Sequence, residues 1–226
     1  MTDTLEDLRT SLRARYAVVF VRTEDKESVV NAVIDKQKTF LGNVKKITSE
    51  EFHDLAQRVT KANIFIDQEY PFDGHSTAYI LEDPDWNQTT CGDLACLANF
   101  LMGTHHSVVL ISNAFEVPIG MEKILEIIDI SGGPVGDRSE IDIASAIDLA
   151  LSSCLPTKDD YPEGLPERLP IREGAVPFLS AFLSKDFEVN VNYFVHMWLE
   201  DADKERIRNM INMMVAHCMK FAEATR

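Results

Sequence analysis

Six carboxylates fall within nineteen residues of this chain: Asp67, Glu69, Asp73, Glu82, Asp83 and Asp85. The last three close an apolar run, Thr77–Leu81, that reads as a strand. Ligand sites gather at the carboxyl ends of parallel strands. A hard cation takes several convergent oxygens, so Glu82, Asp83 and Asp85 are the metal-ligand candidates and the candidates for acid–base chemistry. A nuclease would add a lysine beside its acids to activate water, yet no lysine lies between Lys61 and Lys123. A solvated acidic loop explains the same residues without chemistry.

Other reactive types are present without the geometry that chemistry needs. The adjacent pair His105 and His106 points in two directions in an extended chain and does not form an i,i+4 ligand pair. His75 lies beside Asp73 and Ser76, but no G-x-S-x-G elbow occurs. Cys91 stands at a helix start, a position that lowers a thiol pKa, with no histidine assignable to it. The four cysteines Cys91, Cys96, Cys154 and Cys218 lack zinc or redox spacing and suit a reduced compartment.

A phosphate site is missing where the pattern leads one to look for it. The apolar run Ala17–Val21 leads directly into a helix. A P-loop would place G-x-x-x-x-G-K-[ST] at that junction. Here the junction is Arg22, Thr23, Glu24 and Asp25, without a glycine and with two carboxylates. The glycine-rich stretch Gly132–Gly136 contains a proline and lacks G-x-G-x-x-G order, so it reads as a loop.

Several elements must position these residues. Leu5, Leu8 and Leu12 predict a leading amphipathic helix. Thr23 is expected to cap a helix reaching Lys38, with Val29, Val30, Val33 and Ile34 inward. Val44–Ile47 predicts a short strand. Thr48 and Glu51 form a capping box that opens a helix with Phe52, Leu55 and Val59 inward. Strands are expected at Asn63–Ile66, Thr77–Glu82, Ser107–Ser112 and Leu125–Ile130. Helices are expected at 90–103, closed by Gly103, and from Ser139 through Leu151. Alternating strands and helices predict a three-layer α/β sandwich with a mostly parallel sheet. Residues 154–172, with four of the nine prolines, read as an acidic linker, and 173–226 as a small helical, lid-like subdomain.

This order resembles an AAA-type module, an α/β core followed by a helical lid. More narrowly it resembles the P-loop-free N-terminal domain of chloroplast and cyanobacterial AAA-family ATPases. The stretches that carry the resemblance are Leu12–Asp25 (LRARYAVVFVRTED) and Ser107–Pro118 (SVVLISNAFEVP), within residues 5–153. In such a module Glu82 and Asp83 lie where Mg²⁺-binding acids would follow a strand. Asn113 lies where a polar residue would sense a γ-phosphate. The resemblance does not extend to ATP hydrolysis, because the Walker A residues and the second, working domain are missing from this sequence.

The formal net charge is −15 and 45% of residues are hydrophobic. The hydrophobic fraction supports a sizeable core in a folded chain; the negative charge opposes attraction to nucleic acid or anionic membrane, so direct binding to either is not expected. No signal peptide or membrane-length apolar run is read, and a cytoplasmic location is expected. Trp198, Met210 and Met214 belong to a Met-rich apolar surface in the C-terminal helices, and methionine suits adaptable partner surfaces. With Asp159 and Asp160 on the acidic arm, they are the candidate partner-binding residues. The expectation is a non-catalytic protein that needs no cofactor. It would bind a basic protein, or copies of itself, as adaptor, inhibitor or assembly subunit. Two other readings stay open: a metal-dependent nuclease or phosphoesterase centred on Glu82 and Asp83, and an acidic mimic of nucleic acid.

Overall fold

The computed structural model describes residues 2–39, 42–65, 67–69, 71–72, 74–102, 104–113, 117–118, 121, 124–130, 143–155, 158–160 and 162–164. Five strands form one parallel sheet: β1 (Val18–Arg22), β2 (Asn43–Lys46), β3 (Thr77–Glu82), β4 (Ser107–Ser112) and β5 (Glu126–Asp129). Their order across the sheet is β2-β3-β4-β1-β5. Five helices accompany them: α1 (Thr2–Arg13), α2 (Lys26–Thr39), α3 (Ser49–Ile64), α4 (Gln88–Leu101) and α5 (Ile143–Cys154).

The two central strands are buried at every position, which is why they read as unbroken apolar runs rather than alternating ones. Their side chains still alternate between two cores. Val18, Phe20, Val108 and Leu110 pack with α3, α4 and α5 on one face. Val19, Val21, Val109 and Ile111 pack with α1 and α2 on the other. The expected three-layer α/β sandwich is therefore present. Right-handed crossovers dictate the layers. The β1-to-β2 connection travels along the sheet in one direction and carries α2 on one face. The later connections travel back and carry α3 and α4 on the opposite face.

Local signals set the ends of the elements. Thr48 accepts from the Glu51 amide at 3.2 Å, and the Thr48 amide donates to the Glu51 carboxylate at 2.9 Å, completing the capping box. Asn87 caps α4 by accepting from the Thr90 amide at 2.9 Å. Two expectations are corrected. The cap of α2 is Asp25, which accepts from the Ser28 amide at 3.0 Å, while Thr23 accepts from the Asp25 amide one turn earlier. Of the expected strand at Asn63–Ile66, Asn63 and Ile64 are instead the end of α3, Phe65 caps it in an extended conformation, and Ile66 lies outside the described residues. The apolar stripe Phe52, Leu55, Ala56, Val59 and Ala62 carries the helix onward to a buried Ile64 and overrides local strand preference. Gly103, Gly132–Gly136, Ser139 and residues 173–226, where a helical subdomain is expected, lie outside the described residues.

Arg15 ends α1 in a left-handed conformation, with φ +61°. The Tyr16 amide donates to the Ser11 carbonyl at 3.2 Å and the Arg15 amide to the Leu12 carbonyl at 3.3 Å. This is the Schellman pattern, whose left-handed position favours glycine. Arg15→Gly is expected to raise stability by about 1 kcal/mol, read as a higher urea midpoint at unchanged slope. A lower midpoint would show that the arginine side chain contributes more than its backbone costs.

Candidate functional site at the carboxyl end of the sheet

In a doubly wound sheet the ligand crevice opens where neighbouring strands send their connections to opposite faces. Here that place lies between β1 and β4. The chain leaves β1 toward α2 on one face. It leaves β4 toward Val117 and Met121, which are buried in the core of the other face.

The residues at this edge are engaged with one another. The Thr23 amide donates to the Ser112 carbonyl at 2.9 Å, tying the ends of β1 and β4 together. Arg22 is buried at the end of β1 and its Nη1 meets Asp129 Oδ2 of β5 at 3.2 Å. Asp83 sits one residue past β3 with φ +49°, a conformation aspartate tolerates better than most residues. Its amide donates to the Ile111 carbonyl at 2.7 Å, and its carboxylate accepts from Ser112 Oγ at 3.2 Å. The same carboxylate pairs with the Lys26 ammonium from the first turn of α2. Lys26 thus spans from the β1 junction to the end of β3.

The N-terminus of α2 carries its own anion. Asp25 accepts from the Ser28 amide at 3.0 Å and from Ser28 Oγ at 2.5 Å. The Ser28 hydroxyl, then its amide, hold the Asp25 carboxyl below its ordinary range. A carboxylate therefore occupies the place where a phosphate would meet the helix dipole.

The three metal-ligand candidates share this edge but have separate partners. Glu82 meets Lys46 Nζ at 2.7 Å, Asp83 meets Lys26, and Asp85 accepts from Asn87 Nδ2 at 3.1 Å. Among the described residues no group of three His, Cys, Asp or Glu side chains is arranged to hold a metal. Asn113 is exposed beyond β4. Of the partner-binding candidates, Asp159 and Asp160 are exposed on a short 3-10 turn, Lys158–Asp160. Trp198, Met210 and Met214 lie outside the described residues.

The remaining reactive side chains are placed as core or surface. His106 is buried and stacks on Phe72 with ring centroids 4.2 Å apart; His75 and His105 are exposed. Cys91 is buried, and burial pushes its thiol up to about 12, the reverse of the helix-start expectation. Burial likewise pushes Cys154 up to about 11 and raises Cys96. None of these three is a thiolate near neutral pH.

One polar pair was not anticipated from the sequence. His53 Nδ1 on α3 lies 2.7 Å from Asp93 Oδ2 on α4, and His53 Nε2 lies 2.7 Å from Gln57 Nε2. The Asp93 side chain is 3% exposed and that of His53 is 33% exposed. Burial pushes the Asp93 carboxyl up to about 6, partly countered by the hydrogen bond and charge of His53. The available signal was an aspartate inside the otherwise apolar run Cys91–Ala98.

Among the described residues no helix is long and apolar enough to cross a membrane. No protein-family model, no curated protein and no solved structure matches this chain.

Proposed function

We propose that this chain is a nucleotide-independent, non-catalytic module that acts by binding another protein, as an adaptor, inhibitor or assembly subunit on an AAA-like α/β frame. The observation that carries this reading is the self-engaged carboxyl edge of the sheet. Lys26 and Asp83 bridge the crevice at the switch point, and Asp25 supplies the anion at the α2 N-terminus. A nucleotide phosphate would have to displace one carboxylate and compete with another for the same lysine. Exposed ion pairs contribute little stability, so the weight of the argument rests on occupancy and charge sign. With a net charge of −15 the preferred partner is basic.

Calorimetry with Mg-ATP and Mg-ADP at millimolar concentration is expected to give no binding heat, and phosphate release is expected to stay at background. Turnover of roughly 1 s⁻¹ or more would overturn the proposal. Affinity capture on the immobilised chain, eluted with a salt step, is expected to return proteins of net positive charge. Acidic partners, or retention insensitive to salt, would remove the electrostatic part of the reading.

A further inference from the structure

Cys96 on α4 and Cys154 on α5 are both buried and both free thiols. The packing of the two helices sets them against each other. A β-carbon built on Gly92 lies 2.1 Å from the Ala146 carbonyl oxygen and 3.0 Å from the Ala150 β-carbon. Cys96 stands one turn beyond Gly92 on α4, and Cys154 stands one turn beyond Ala150 on α5. Rows of residues four apart pack along one another in helix pairs, so the meeting of Gly92 with Ala150 repeats one turn later between Cys96 and Cys154. The Thr60 hydroxyl on α3 interacts with both thiols, and Cys154 acts on Cys96 through its charge. The two sulfurs therefore share one point where three helices join. We propose that Cys96 and Cys154 are a redox pair, open as two thiols under reducing conditions and closed by a low-molecular-weight disulfide into a covalent staple between α4 and α5.

The spacing suits the bond. A disulfide joins β-carbons about 3.5–4.5 Å apart. The 3.0 Å approach at Ala150 lets the helices diverge by about 1 Å over the next turn and still meet that span. Cys91 is no partner for Cys96. Five residues apart on one helix, their side chains point about 140° away from each other.

Closure is thiol–disulfide exchange. Cys154 is the last residue of α5, and helix ends are where fraying admits solvent. The Cys154 thiolate attacks one sulfur of the small disulfide, and the other sulfur leaves as a thiolate. The Cys96 thiolate then attacks the Cys154 sulfur and expels the second small thiolate. One S–S bond breaks in the oxidant and one forms in the protein. Two protein thiols are oxidised, the oxidant is reduced to two thiols, and the protons lost by Cys96 and Cys154 end on those thiols. Burial holds both protein thiols protonated while α5 is closed, so exchange waits on opening and is slow. The finished staple closes the chain between positions 96 and 154, which restricts the unfolded state and stabilises the fold.

Peptide mapping of the native full chain tests this. After incubation with oxidised glutathione, acid quenching and alkylation, mass spectrometry is expected to find one internal disulfide, Cys96 to Cys154, that dithiothreitol removes. Cys91 is expected to remain open to alkylation once the chain is unfolded. The same incubation in urea is expected to favour Cys91–Cys96, the shortest loop, which separates native closure from capture of unfolded chains. Oxidation is expected to lower the unfolding constant of the native chain about 30-fold or more, read as a higher urea midpoint. Cys154→Ser is expected to lose both the link and the gain. Should that variant fail to fold, the wild-type map and midpoint decide alone. Two thiols still free after prolonged oxidation, a native link through any other pair, or a Cys96–Cys154 link that lowers the midpoint would each overturn the proposal.

Discussion

Gly92→Ala is expected to lower stability by about 3 kcal/mol, a fall of roughly 6–12 °C in Tm for a chain of this size. A β-carbon built on Gly92 lies 2.1 Å from the Ala146 carbonyl oxygen and 3.0 Å from the Ala150 β-carbon, both on α5. The first obstacle is backbone, so no side-chain rotation relieves it, and α5 has to move away from α4. Helix propensity argues the other way, because alanine in a helix interior is favoured over glycine by about 1 kcal/mol. The sign of the effect therefore separates close helix packing from propensity. Gly74 is the control: a β-carbon there meets nothing within 4 Å, and Gly74→Ala is expected to be neutral or slightly stabilising. A Gly92→Ala protein as stable as the parent would mean that α5 rides farther from α4 than described.

Phe20→Ala is expected to cost about 4 kcal/mol, measured by urea unfolding. Phe20 is fully buried on central strand β1, opposite Leu110 of β4 and Ile127 of β5. Its ring meets that of Trp86 edge-on, with centroids 5.8 Å apart and planes at 63°. Truncation removes this aromatic contact and opens a cavity beneath the loop that follows β3. Typical domains are stable by about 5–15 kcal/mol, so the variant would keep only part of its margin. Phe20→Leu should lose less, because it retains most of the volume. A loss below about 1 kcal/mol for Phe20→Ala would show that the neighbouring side chains collapse into the space.

The sheet was legible because burial on both faces leaves a simple trace. Thr77–Glu82 and Ser107–Ser112 are strands at the bounds their apolar runs imply. The capping box at Thr48 was legible because both of its hydrogen bonds join residues three apart. The end of α3 was not, since Ile64 and Phe65 suit a strand locally while the helix face that Ile64 extends is set by tertiary burial. The α2 cap was misplaced by two residues because Thr23 and Asp25 are both good caps and both are used in the turn.

The candidate site divides along the same line. Glu82, Asp83 and Asp85 could be assigned to a strand end from their own surroundings. Their partners could not be, because Lys46 is 36 positions from Glu82 and Lys26 is 57 positions from Asp83. Those lysines turn a possible metal cluster into separate pairs. The His53–Asp93 contact spans 40 positions and two helices. One acid in an apolar helix marks such a contact without naming its partner.

The central place of β1 has a consequence during synthesis. Its partners are β4 and β5, and Arg22 meets Asp129 from 107 positions later in the chain. At translation speeds of roughly 5–20 residues per second, the most apolar early segment waits roughly 5–20 s for its last neighbour to be made. Until β4 is made Val18–Val21 has both edges unsatisfied, and until β5 is made it keeps one open, the form most prone to pair with other chains. Folding should therefore depend on nascent-chain shielding, and refolding yield should fall steeply as concentration rises.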